Sequence, residues 1–303
     1  MEFVQLSSHR RQVLSNEGID PEYLFGVIAN ALREDLDGGC DVTTEATVST
    51  EQRSRADVVA RKDGIVSGLD VAASVFEIVS GESVTIKMVS SDSRAVRVGE
   101  VVMSVEGPTR SILTAERTAL NLLCHLSGIA TVTSRWVAEI EGTGAKIRDT
   151  RKTTPGLRRL EKYAVRCGGG HNHRMSLSDA ALVKDNHVIA ANGITNAVIL
   201  IRSSAPDVII EVEVDTLEQL RETISSEVDL VLLDNMDLSL IRQAVAMVDD
   251  YRQQFGTDVL LEVSGGIQLE HAREIAFTGV DFLSVGSLTH SSIILDFGLD
   301  FVL

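Results

Sequence analysis

Six short apolar runs, each closing on polar or glycine residues, recur through the second half of the chain: "AKIRDTRK", "AALVKDNH", "VIIEVEVD", "DLVLLDN", "VLLEVSGG" and "VDFLSVGS". Their closing positions, Asp149, Lys184, Glu213, Asp234, Ser264 and Gly286, lie 35, 29, 21, 30 and 22 residues apart. Amphipathic segments such as "TLEQLRETISS" and "LSLIRQAVAMVDDYRQQF" fill the intervals. Short strands that are apolar on both faces belong to a parallel sheet covered by helices. Alternation of strand and helix at this spacing leaves two architectures, a β/α barrel or a doubly wound sheet. In a barrel, the polar residues at the strand ends collect on the face where such enzymes place their chemistry.

The first part of the chain reads differently. A helix is expected over "PEYLFGVIANALRED", followed by a Gly/Thr-rich turn and the strand-like segments "ADVVARKDGIVSG", "VTIKMVS" and "AVRVGEVVMSVEG". Together they predict an α/β sandwich of about 110 residues, a size that can hold its own core. The apolar periodicity of "TAERTALNLLCHLSGIATVTSRWVAEIEG" predicts a long helix, with Thr114 as its N-cap and Arg117 in its first turn. Gly128 near the middle predicts either a kink or a close approach by another segment.

Charge narrows the function. The 303-residue chain carries a formal charge of −16, which argues against nucleic acid as the main partner, because phosphate backbones select basic surfaces. Against that background, Arg148 to Arg174 holds eight Lys/Arg and two Asp/Glu, a local net of +6. A basic cluster inside an acidic chain suits a focused site for a small polyanion. The three cysteines, Cys40, Cys124 and Cys167, have no metal-ligand spacing and read as reduced cytosolic thiols. With no apolar run of membrane-spanning length and no signal-peptide pattern, the expectation is a cytoplasmic protein without a membrane partner.

Within the basic stretch, Arg151, Lys152 and Lys184 stand at strand ends, and the intervening loop supplies His173 and Arg174. Guanidinium groups pair bidentately with carboxylates or phosphates, so such a group fits a dicarboxylate or a phosphate. Arg158, Arg159 and Lys162, at helical spacing, fit a solvated basic face equally well. The "CGGGH" run permits close backbone approach but lacks the Walker pattern. His171 and His173 share one face of an extended segment, yet no third ligand lies nearby in sequence, which favours ligand contact or core hydrogen bonding over a metal pair. Glu213 and Asp234, facing a basic site, suit Mg²⁺ held through water or ribose hydroxyls, with salt-bridge partnership as the alternative. "SGGI" and "VGSLTH" close the last two strands, where barrels commonly bind phosphate through backbone N–H groups.

At this point the motifs resemble a known family. "DTRKTTPGLRRLEKYAVRCGGGHNHR", "LVKDNH", "EVEVD", "LLDN", "SGGI" and "ERTALNLLCHLSGIAT" are similar, in order and over nearly the whole chain, to the quinolinate phosphoribosyltransferases (nicotinate-nucleotide pyrophosphorylases, carboxylating). The resemblance implies an N-terminal α/β sandwich over residues 1–126, joined by the C-terminal tail 290–303, and an incomplete, seven-stranded β/α barrel over 127–289. It implies transfer of phosphoribose from phosphoribosyl pyrophosphate to quinolinate, with decarboxylation to nicotinate mononucleotide, Mg²⁺ as cofactor, and a homodimer with shared active sites. Arg151, His173, Arg174 and Lys184 would hold the quinolinate carboxylates, joined by Arg117 from the neighbouring subunit. Thr150, Lys152, Glu213, Asp234, Ser264, Gly265, Gly286, Ser287 and His290 would surround phosphoribosyl pyrophosphate. Lys152, Glu213 and Asp234 would be catalytic, and Mg²⁺ would be held through Glu213, Asp234 and the substrate. The competing readings are a molybdenum-transport-associated paralogue of the same fold and a non-catalytic anion-binding barrel. Intact "HNHR" and "KDNH" weigh against the first, and the full set of strand-end residues weighs against the second.

Overall fold

The computed structural model describes residues 3–302. The strands, in chain order, are β1 (Arg53–Ala60), β2 (Gly64–Ile65), β3 (Thr85–Met88), β4 (Ala95–Val96), β5 (Val101–Pro108), β6 (Lys146–Arg148), β7 (Ala181–Val183), β8 (Ile210–Val214), β9 (Leu230–Asp234), β10 (Leu260–Ser264), β11 (Phe282–Ser284) and β12 (Phe297–Phe301). The chain divides into two compact units. One takes the chain up to Ser134, Thr153–Gly169 and everything from Thr289 onward. The other takes Arg135–Lys152 and Gly170–Leu288.

The first unit is built on an antiparallel sheet in the order β12-β1-β5-β3. The expected helix is present as Pro21–Leu36. Asp20 accepts hydrogen bonds from the Glu22 and Tyr23 amides, and Pro21 occupies the first turn, where its missing N–H costs nothing. It buries Leu24, Ile28 and Leu32, and the helix Leu69–Ser80 buries Val71, Val75 and Phe76. That second helix starts on Gly68 at φ 95°, with no capping side chain of its own. Asp92, distant in sequence, accepts from the Gly68 and Leu69 amides at 2.6 and 3.1 Å.

The long helix runs from Thr109 to Glu139, so it starts earlier than its periodicity predicts. Thr114 is an interior residue, not the N-cap, and Arg117 lies beyond the second turn, where the N-terminal dipole has faded. The 126/127 division falls inside this helix. Gly128 marks a close approach: a Cβ there would lie 2.2 Å from the Ile293 carbonyl oxygen. Beyond that approach, β12 pairs antiparallel with β1, placing Leu299 opposite Val58.

All six apolar runs form strands. They make one parallel sheet in the order β6-β11-β10-β9-β8-β7, flanked in sequence by helices. Among the described residues this sheet has six regular strands, and the seventh position is filled by a single residue. His171 makes an isolated parallel bridge to Arg148: its amide donates to Ile147 O at 2.8 Å, and the Asp149 amide donates to His171 O at 3.1 Å. Among the described residues the pairing therefore closes from the first strand to the last and opens between His171 and β7. This is an α/β fold with an incomplete β/α barrel.

Candidate active site

Strand periodicity builds this site. Along β8, Ile210, Val212 and Val214 are fully buried on one face, which leaves Glu211 and Glu213 on the other, since successive side chains alternate. The same alternation puts Glu262 with Ser264 on β10 and Leu232 with Asp234 on β9. The inner face thus has two levels. Glu213, Asp234 and Ser264 stand at the strand ends, and Glu211, Leu232 and Glu262 lie one step deeper. Register confirms the match, with Ser264 opposite Asp234 and Glu262 opposite Leu232.

A cavity of about 570 Å³ opens over the strand ends. Of the residues expected from sequence, Thr150, Arg151, Lys152, His173, Arg174, Lys184, Glu213, Asp234, Ser264 and Gly265 line it. Four do not. Arg117 is exposed on the long helix of the other unit. Gly286, Ser287 and His290 stay off its wall because the chain leaving β11 remains bound to the sheet, with the Val285 amide donating to Arg148 O at 2.9 Å, before it turns into the short helix Ser287–His290. His290 is exposed, with its Nδ1 2.7 Å from Ser291 Oγ. His171 is also exposed and does not share a site with His173.

The cations are held in place by the backbone around them. Asp149 is fully buried and accepts from the His173 amide at 2.9 Å and from Asn172 Nδ2 at 2.5 Å. This ties the loop after the bridge to the end of β6. Arg174 donates through Nη1 to Ala180 O at 2.7 Å, while its Nε is buried without a hydrogen-bond partner. Burial, and then the neighbouring Arg151 charge, pull the Arg174 pKa down. A partly buried cation beside another cation, with an unsatisfied donor, favours an anionic ligand. Lys184 Nζ forms an ion pair with Glu213 Oε2 on the adjacent strand. Both partners line the cavity, so Glu213 is at once a salt-bridge partner and a cavity residue. Asp234 Oδ2 accepts from Asn235 Nδ2 at 2.8 Å. Gly265 sits at φ 96°, and a Cβ there would lie 2.2 Å from Asn235 Oδ1. Only glycine fits that turn.

The cavity lining also includes Glu262 and Ser284, part of a set of residues that strand-end reasoning did not single out. Arg148 Nη1 donates to Glu262 Oε2 at 2.6 Å, and Ser284 Oγ donates to Glu262 Oε1. His173 Nε2 lies 2.8 Å from Glu211 Oε2 and 3.5 Å from Glu262 Oε1. Burial, and then the Glu211 charge, raise the Glu262 pKa. The signal for Glu211 was present in "EVEVD", where a second glutamate shares the period-two face of Glu213.

Comparison with known proteins completes the picture. Two domain profiles match: quinolinate phosphoribosyl transferase, N-terminal domain, over residues 41–127, and the C-terminal domain of the same enzyme over residues 129–300. The chain belongs to the quinolinate phosphoribosyltransferase family. It is 49% identical over 274 residues to a nicotinate-nucleotide pyrophosphorylase [carboxylating] of Mycobacterium leprae, covering 90% of this chain and 95% of that protein. A probable enzyme of the same name from Bacillus subtilis is 40% identical over 271 residues, covering 89% of this chain and 90% of the relative. The structure of the nicotinate-nucleotide pyrophosphorylase from Francisella tularensis superposes with a TM-score of 0.85 at 37% identity, covering 93% of this chain and 96% of that one. No helix among the described residues is long and apolar enough to cross a membrane.

Proposed function

We propose that this chain carries out the family's reaction: quinolinate and phosphoribosyl pyrophosphate give nicotinate mononucleotide, CO₂ and pyrophosphate. The observation that carries this reading is the convergence of Arg151, Lys152, Arg174 and Lys184 on one cavity that also presents Glu213 and Asp234. Two polyanionic substrates must meet there, and charges that line a cavity are screened far less than those on the open surface.

Arg151, Arg174 and Lys184 hold the two quinolinate carboxylates, and His173 supports Arg174. The pyridine nitrogen bonds to the anomeric carbon as the bond to pyrophosphate breaks. Positive charge develops on the ribose in that step, and Glu213 and Asp234 stabilise it while Lys152 meets the departing phosphates. The ring is then cationic and accepts the electron pair released when the adjacent carboxylate leaves as CO₂; a proton fills that ring carbon. Arg and Lys contacts to that carboxylate must not strengthen in the ground state, since only differential binding accelerates the step. Glu213 and Asp234 are oxygen donors at the cavity mouth, a set that suits Mg²⁺ held by one or two carboxylates, water and substrate phosphates. When bound, the ion supplies charge neutralisation on the pyrophosphate. Thr150, Ser264 and Gly265 bind phosphoribosyl pyrophosphate. We also assign a homodimer in which Arg117 of one subunit completes the site of the other.

The test is formation of nicotinate mononucleotide and CO₂ from quinolinate, phosphoribosyl pyrophosphate and Mg²⁺, with nicotinate as the control substrate. Product from nicotinate alone would overturn the assignment of the dicarboxylate.

A further inference from the structure

Two buried glutamates, Glu262 in the cavity lining and Glu211 on β8, are not used by the reaction above. Glu211 is 3% exposed and Glu262 is fully buried. Between them sits His173, itself 8% exposed. Its ring is held from both sides: Nδ1 accepts from the Arg174 amide at 2.7 Å, and Nε2 faces Glu211 Oε2 at 2.8 Å. A nitrogen that accepts from an amide carries no proton, so the ring is neutral with its proton on Nε2.

We propose that Glu211 is a positioning residue. It accepts the His173 Nε2 proton in a hydrogen bond, which leaves Nδ1 as the acceptor that fixes the Arg174 backbone and so places the Arg174 guanidinium at the cavity wall. The relation to quinolinate rests on the reading given above, in which Arg174 meets a substrate carboxylate.

Charge accounting sharpens the role. Arg148 contributes one positive charge to the buried cluster, Glu211 and Glu262 contribute two negative charges if both ionise, and His173 contributes none. Burial and the Glu211 charge raise the Glu262 pKa, which works against two full negative charges in the cluster. His173, Glu211 and Glu262 do bring one ligand atom each within 4.8 Å. However, Glu262 already takes Arg148 and Ser284, and a cation placed beside Arg148 would meet its charge at close range. The geometry therefore favours a hydrogen-bonded cluster at this place over a metal site.

A carboxamide keeps a side-chain oxygen that can accept from Nε2, so Glu211→Gln should preserve the hydrogen bond that Glu211→Ala removes. The test compares Glu211→Gln with Glu211→Ala in the full-length enzyme, reading kcat, both KM values, thermal stability and the ¹⁵N signals of labelled His173, identified by its loss in His173→Gln. In wild type and Glu211→Gln, His173 should show a neutral ring with Nε2 protonated, and the quinolinate KM should agree within about threefold. Glu211→Ala should raise the quinolinate KM by on the order of tenfold or more, with the phosphoribosyl pyrophosphate KM little changed. An imidazolium or an Nδ1-protonated ring in wild type overturns the proposal. So does a Glu211→Gln enzyme as impaired as Glu211→Ala, or a Glu211→Ala enzyme whose two KM values rise in parallel or not at all. If Glu211→Ala does not fold, the spectra and Glu211→Gln still decide. Arg174→Ala separates the two ideas: if it leaves quinolinate binding intact, the substrate assignment fails while the His173 spectrum still judges the role of Glu211.

Discussion

Lys184 and Glu213, at the ends of adjacent parallel strands, form an ion pair. In the proposed reaction they serve different substrates, so the pair must loosen when quinolinate enters. The Lys184 side chain is 46% exposed, and a pair that open to water contributes no more than about 1 kcal/mol. Glu213→Gln should therefore leave quinolinate affinity unchanged or tighten it severalfold, while turnover falls by orders of magnitude as charge stabilisation at the ribose is lost. Calorimetry paired with saturation kinetics checks both halves. Collapsed quinolinate affinity with native turnover would reverse the assignment.

Arg174 is more enclosed than Lys184, and its Nε has no partner in the protein. Arg174→Ala should weaken quinolinate binding by roughly 30- to 5,000-fold, the effect of about 2–5 kcal/mol expected when one member of a buried charge pair is removed. Phosphoribosyl pyrophosphate should still bind. Titration calorimetry with each substrate separately gives the comparison, and near-native quinolinate affinity would sink the role.

Gly265→Ala places a Cβ against Asn235 on a backbone that L-residues rarely adopt. The expected cost is about 1–3 kcal/mol, read as a lowered unfolding midpoint, with a raised KM for phosphoribosyl pyrophosphate. An alanine variant with wild-type stability and KM would show that the turn adapts.

Glu17 has a pKa raised to about 7, first by burial and then by the Asp92 charge. Its Oε2 is buried without a hydrogen-bond partner. Its folded pKa lies above the unfolded value of 4.5, so the folded state binds more protons across that interval. Stability from this group is present below about pH 4.5 and is lost as pH rises through about 7. Glu17→Gln should flatten that part of the profile and stabilise the protein most at pH 8. Unfolding midpoints of both proteins at pH 5 and 8 are the measurement, and an equal difference at the two values would exclude the linkage.

Arg117→Ala and Lys184→Ala should each be inactive alone if Arg117 acts across a dimer. Random exchange of equal amounts makes half the dimers mixed, each with one intact site, so about a quarter of wild-type activity should return. Verified exchange with no recovery would place Arg117 within its own chain or outside the site.

What the sequence determined by itself is local and periodic. All six parallel strands were legible, because a short apolar run between amphipathic segments has few other folds available. The placing of Arg151, Lys152, Lys184, Glu213, Asp234 and Ser264 on one cavity was legible too, since each lies at or just past the end of an apolar run. The tertiary structure decided what depends on closure and on partners distant in sequence. Glu211 and Glu262 look like stray charges inside apolar runs until the sheet curls and gives them one interior. His173 reads as a ligand contact or a core hydrogen-bonding residue, and only the fold shows its ring held between the Arg174 amide and Glu211. The closeness of Gly128 to Ile293 and the membership of Thr153–Gly169 in the first unit are likewise written in no local pattern. Periodicity reports which face of an element is apolar; only packing supplies the neighbour that meets it.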